Sequence, residues 1–244
     1  MPAVQSGGRP AAHSRREIVN AILYWARAGG AWRLLPGDLP PWQTVYHYFR
    51  LWRNDGTWQS IHDALRRDLR EHLGHDREPS AGVLDSQSVK TALPGQDAGY
   101  DAGKKVKGRK RHIVVDLLGL LLIVVVTSAA IQDRDGAQFA LAPLATGFPR
   151  LRTVFADSAY SGGPLFDWCW CALRRWRKVF LWVVEKAPGQ TGFQVLPKRW
   201  VVERTFGWWN WWRRLSKDYE RNPSTSEALI QVVMIRLMLR RLTD

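Results

Sequence analysis

Three acids stand out by their surroundings. Asp85 ends the apolar run of "AGVLDSQSV" and Asp157 that of "LRTVFADSAYSG", and each is followed by small polar residues. A carboxylate in an apolar strand is costly to bury unless it is paired or bound to a metal, and the strand ends of layered α/β sheets are where active sites tend to lie. Glu203 is the one acid in "KRWVVERTFGWWNWWRR", Lys198–Arg214, a stretch otherwise cationic, aromatic or apolar. On a helix turning by about 100° per residue, Arg199, Phe206, Asn210 and Arg214 fall near Glu203, while Val201, Trp208, Trp212 and Leu215 fall opposite. The Trp-rich side is expected to be core, with Trp209 and Trp211 flanking the polar face. Glu203 would then stand among cations, as a metal-binding carboxylate near a phosphate backbone does. Taken singly, each acid has an ordinary explanation: a turn cap for either aspartate, an ion pair with Arg199 for Glu203.

Composition says what such a site would face. Lys and Arg number 36 against 22 Asp and Glu, a net charge of +14, which points to a polyanion and by default to nucleic acid. With 45% hydrophobic residues over 244 positions the chain has material for a sizeable core and is not a disordered tail. Cys169 and Cys171 are too close for an ordinary stapling disulfide and lack partners for a zinc site, so both read as free thiols of a reducing compartment. The histidines His13, His47, His62, His72 and His75 form no metal-ligand spacing. The start, "MPAVQSGGRPAAHSRRE", has no apolar segment of a secretory signal, which predicts a cytoplasmic protein.

The run Ile113–Ile131, "IVVDLLGLLLIVVVTSAAI", is nearly long enough to cross a bilayer. Asp116 within it, Gly119 dividing it and its density of Val and Ile favour a buried hairpin turning near "LLGL" instead.

The elements that must position the acids follow from periodicity. Helices are predicted over Arg15–Ala28, over "QTVYHYFRLWRNDG" and over "TWQSIHDALRRDLREHL", the last opening at Thr57 as N-cap. Arg50 and Arg53 lie off the apolar face of the middle helix. Three short helices with a basic middle one suit a helix-turn-helix-like DNA-binding module, although a bundle that binds nothing has the same pattern. After "GHDREPS", strands are predicted at "AGVLDSQSV", twice within "KRHIVVDLLGLLLIVVVTSA", at "LRTVFADSAYSG" and at "KVFLWVVE". Helical segments run from Asp135 to about Ala145, from Pro164 to Arg177, and from about Lys198 and Ser224. This is an α/β layered domain with a mixed sheet. Lys104, Lys105, Lys107, Arg109, Lys110 and Arg111 crowd the approach to its second strand, where they would hold a DNA backbone through its phosphates. The alternative is a solvated charged loop. His112, at the start of that strand, reads as a structural hydrogen-bonding residue.

At "LDSQSVKT", "GYDAGKKVKGRKRHIVVDLLGLLL", "QDRDGAQ", "VFADSAYSG", "RWVVERTFGW" and "RRLSKDYER" the chain resembles DDE transposases of bacterial insertion sequences, in the insertion-sequence-five group. The resemblance covers Arg15 to the C-terminus. It implies an RNase H-like mixed β-sheet flanked by helices over 80–244, preceded by a helical DNA-binding region over 1–76 that is shorter at its start than in many relatives. By motif position Asp85, Asp157 and Glu203 are the implied catalytic acids and ligands of two Mg2+ ions, with Mn2+ able to substitute. Carboxylates suit such hard ions better than imidazole or thiolate. The implied reactions are nicking at the element's ends and transfer of the freed 3′-hydroxyl into target DNA. Arg50, Arg53, Arg199, Arg204, Arg213 and Arg214 join the lysine-rich cluster as expected contacts to double-stranded DNA, both the terminal inverted repeats and the target. A homodimer on DNA, no membrane, and a place in the cytoplasm with the nucleoid complete the expectation. Such chemistry needs no covalent intermediate, which argues against a serine or tyrosine recombinase, though Ser158 and Tyr160 lie close to Asp157.

The family's C-terminal signature of Tyr, Arg, Glu and Lys is kept at Arg199 and Glu203, whereas Leu196 replaces the Tyr and Asn210 the Lys. Arg213 or Arg214 lies within a turn of the lost cation. The stretch "DWCWCALRRWRKVFLWVVEKAPGQ" is richer in Trp and Arg than the family pattern. A catalytically inactive DNA-binding relative is therefore the competing reading.

Overall fold

A computed structural model describes residues 12–92, 97–174, 179–184 and 200–243. Arg15–Ala28 (α1) begins at a capping box in which Ser14 and Glu17 satisfy each other's backbone N–H groups, and stops at Gly29 in the left-handed region. Its buried stripe of Ile18, Ala21, Ile22 and Trp25 meets Val45, Phe49 and Trp52 of Trp42–Asn54 (α2). Trp25 stacks on Trp32 with ring centres 3.7 Å apart. Thr57–His72 (α3) follows a two-residue joint. Thr57 is its first residue rather than its cap: the N–H of Thr57 donates to the Asp55 side chain at 2.9 Å, and Gly56 supplies the left-handed turn.

Among the described residues the sheet has six strands, Ala81–Lys90 (β1), Gly99–Asp101 (β2), Val106–Asp116 (β3), Leu121–Ser128 (β4), Thr153–Ala156 (β5) and Phe180–Val183 (β6). Their order is β2-β3-β1-β5-β6, with β4 also paired to β3. β1 is antiparallel to β3 and parallel to β5, and β5 is parallel to β6. The long apolar run is the antiparallel pair β3–β4 turning through "LLGL", and among the described residues no helix is long and apolar enough to cross a membrane. The short β2 is a strand the periodicity does not predict.

Alternation along the strands separates two cores. Val83, Ile113, Val115 and Leu121 join α1, α2, α3, Trp200–Asn210 (α7) and Pro223–Thr243 (α8) on one face. Leu84, Val114, Leu122, Val154 and Ala156 join Asp133–Leu141 (α4), Leu144–Gly147 (α5) and Gly163–Cys169 (α6) on the other. The helix expected from Asp135 to about Ala145 is two, since Ala142 and Pro143 separate α4 from α5. This mixed sheet between helical layers, with a helical region before it, is the RNase H-like class of fold.

Candidate active site

The parallel pairing of β1 and β5 ends at Val83 opposite Phe155. Asp85 and Asp157 each lie two residues farther on, Asp85 still inside β1 and Asp157 in the turn that directly follows β5. Asp85 shares the parity of Val83, which packs against the α7 and α8 side. The Asp85 carboxylate accepts the N–H of Ser86 at 2.7 Å, and that of Asp157 accepts the N–H of Ala159 at 2.9 Å. Asp85 is therefore oriented by the backbone of its own strand, and Asp157 by the turn just beyond β5.

Glu203 comes from α7, which packs against β1 and β3. Val201, Val202, Thr205 and Trp209 form its buried side, and Trp209 donates its indole N–H to Met234 Sδ at 3.4 Å. The expectation that Trp208 and Trp212 face the core while Trp209 flanks the polar face is corrected: Trp209 is buried, and Trp208 and Trp212 are only partly covered. Spacing fixes the angles between residues but not the centre of the buried arc, which lies about 60° from the expected one. Glu203 is exposed, roughly opposite that arc. Among the described residues no three Asp, Glu, His or Cys side chains are gathered closely enough to hold a metal ion as they stand.

The basic residues divide. Arg109 is 0% exposed, ion-paired to Asp218 at 3.3 Å and donating to the carbonyls of Glu220 and Arg221. Arg111 donates to Gln87 and to the Leu215 carbonyl, and burial draws its pKa down to about 10. Lys110 points the other way, to Asp133 at 2.8 Å, Asp101 at 3.1 Å and the Ile131 carbonyl. Unlike the exposed position expected for contacts to DNA, these three side chains are buried and held by partners inside the fold. Lys104, Lys105 and Lys107 are exposed on the β2–β3 hairpin, with Lys104 Nζ donating to the Ser86 carbonyl at 3.0 Å. Arg50 and Arg213 are exposed. Arg53 donates to Asn54 and Thr225, and Arg214 pairs with Glu220 at 2.8 Å. The guanidinium of Arg204 lies between the rings of Trp200 and Trp208 and donates to the Leu118 carbonyl at 2.8 Å. Arg199 lies outside the described residues, as does Leu196.

Sequence reasoning missed the network beneath Asp85. Ser86 donates to Asp133 at 2.8 Å and Ser88 to Asp101 at 2.5 Å. Burial raises the Asp101 pKa, but Ser88, the Lys104 N–H and Lys110 outweigh it and hold it at about 2. The motif "QDRDGAQ" was the available signal for Asp133. His112 is buried beside it, bonded through Nε2 to Thr127 Oγ1 at 3.0 Å and lowered to about 4 by burial, so it is a neutral structural residue. Tyr160 is 1% exposed, and burial together with the charges of Asp85 and Asp133 raises its pKa well above the ordinary value. A phenol kept protonated and enclosed is unsuited to attack a phosphate. Cys169 and Cys171 are both free thiols.

The family described as transposase DDE domain matches residues 76–238, and the IS4/5 transposase family matches residues 1–62. No curated protein matches the chain. No solved structure matches it either. The first match spans well over half of the sequence and contains all three acids, and the chain belongs to the DDE-domain transposases.

Proposed function

We propose that this transposase nicks DNA at the ends of an insertion sequence and joins the freed 3′-hydroxyl to target DNA, with Asp85, Asp157 and Glu203 as its catalytic carboxylates. The observation that supports the reading is the parallel pairing of β1, which carries Asp85, with β5, which leads into Asp157, in the sheet against which the helix of Glu203 is packed. Three carboxylates are a donor set suited to two Mg2+ ions, with Mn2+ as a substitute. The ions would supply activation of the attacking oxygen and charge neutralisation at the leaving oxygen. Asp85 and Asp157 are held in advance by Ser86 and Ala159. Glu203, exposed on α7, would complete the set when DNA is bound.

Residues 80–244 would form the catalytic unit and residues 1–76 a DNA-binding region. Lys104, Lys105 and Lys107, with Arg50, Arg199 and Arg213, would neutralise backbone phosphates, a contact that positions DNA without reading it. Pairing of two element ends calls for a homodimer on DNA. The test is substitution of each acid: Asp85→Asn, Asp157→Asn and Glu203→Gln should each abolish cleavage while affinity for end DNA in EDTA stays within about twofold. A variant that still cuts removes its residue from the site. Binding without cutting by the wild type would favour the inactive relative, for which the replacement of the signature's Tyr and Lys by Leu196 and Asn210 speaks.

A further inference from the structure

Asp85 is set within β1 and Asp157 directly after β5, whereas Glu203 is only as well placed as α7. What holds α7 is the tight turn between β3 and β4. Asp116, 0% exposed, accepts the N–H groups of Leu118 and Leu120 at 2.9 and 2.8 Å through one oxygen and pairs with Arg70 of α3 through the other. The N–H of Gly119 donates to the Asp116 carbonyl at 2.9 Å, and Gly119 sits at φ +80°, where a side chain is strained. The carbonyls this turn exposes are taken by α7: Arg204 donates to Leu118 at 2.8 Å and Thr205 Oγ1 to Gly119 at 2.9 Å. Trp208 closes on the same glycine, where an added Cβ would lie 3.0 Å from its ring and 3.0 Å from Thr205 Oγ1.

We infer that the turn Asp116–Leu120 is the positioning element of Glu203, fixing α7 on the sheet through Arg204, Thr205 and Trp208 and tying it through Asp116 and Arg70 to the third N-terminal helix. The inference rests on the metal-site reading above. Arg204 is the residue next to Glu203, so a shift of its bond to Leu118 moves the carboxylate directly. Outer partners that orient metal ligands commonly change metal affinity by about 10–100-fold when removed. Thr205 is the sharpest probe, because valine has nearly its shape and removes only the hydroxyl. It is a positioning residue that touches neither DNA nor metal in this account.

Mn2+ binding to the full chain, read from the electron paramagnetic resonance signal of the free ion, tests this with Thr205→Val, Thr205→Ser, Gly119→Ala and Glu203→Gln side by side. Thr205→Val should weaken Mn2+ binding by about tenfold and raise the Mg2+ needed for half-maximal cleavage by the same factor. Affinity for end DNA in EDTA should not change, and Thr205→Ser, which keeps the hydroxyl, should behave as the wild type. Gly119→Ala asks the same from the turn's side should Thr205→Val not fold. If Thr205→Val or Gly119→Ala loses stability yet binds Mn2+ as the wild type does, while Glu203→Gln does not, the turn is structural only and the inference is overturned. If Glu203→Gln also leaves Mn2+ binding unchanged, the metal-site reading itself falls.

Discussion

Acid should weaken this fold through one residue that can be isolated. His112 is 0% exposed on β3, bonded to Thr127 and closed in by Gly136 of α4, where an added methyl would overlap its ring. Burial lowers its pKa from the ordinary 6.5 to about 4; Asp133 opposes that shift, and Lys110 and Lys104 add to it. The unfolded chain therefore takes up a proton below pH 6.5 that the folded chain refuses until pH 4. Stability is complete above the unfolded value and is lost as pH falls through the window between the two. From pH 7 to pH 5 the loss from this group is about 2 kcal/mol. His62, also buried and lowered, acts in the same direction. Urea unfolding followed by tryptophan fluorescence at pH 7 and pH 5 measures it in the wild type and in His112→Gln, whose amide can still reach Thr127. The variant should be about 2 kcal/mol less sensitive to the change. Equal sensitivity in the two proteins would refute the assignment of a neutral, enclosed imidazole.

Arg109→Met should cost about 3–5 kcal/mol in urea unfolding, because it strands Asp218 as an uncompensated buried charge; a loss near zero would mean that solvent reaches the pair. Gly136→Ala should cost about 1–3 kcal/mol by forcing the His112 ring aside, visible as a lowered Tm. Tyr160→Phe should leave cleavage within about twofold of the wild type, since the enclosed phenol stays protonated and takes no part in the chemistry; loss of cleavage would return the phenol to the chemistry.

The parts of this structure that alternate were legible. The apolar runs of β1, β3, β4 and β5, and the stripe of α1, could be read because burial on one face or two leaves a period. Asp85 and Asp157 could be singled out because a carboxylate in such a run is conspicuous. That β1 and β5 pair could not be read, since it joins strands separated by three other strands and two helices. The burial of Arg109 and Lys110 was not legible because charge in sequence does not reveal a partner: Asp218, Glu220 and Asp133, which occupy these cations, lie more than twenty residues away. Trp209 misled because a helical wheel gives the angle between two side chains, while the direction of the core comes from Met234 on α8. That α1, α2 and α3 share one core with α7, α8 and a sheet face is likewise a property of packing, without a local signal.

Cleavage of a supercoiled plasmid carrying the flanking element ends, with Mg2+ or with EDTA and with the wild type beside Glu203→Gln, tests the central claim most directly. Mg2+-dependent cuts at the element boundary should appear with the wild type and disappear in EDTA and in the variant. Cuts of equal rate from Glu203→Gln, or wild-type binding without any cut in Mg2+, would contradict it.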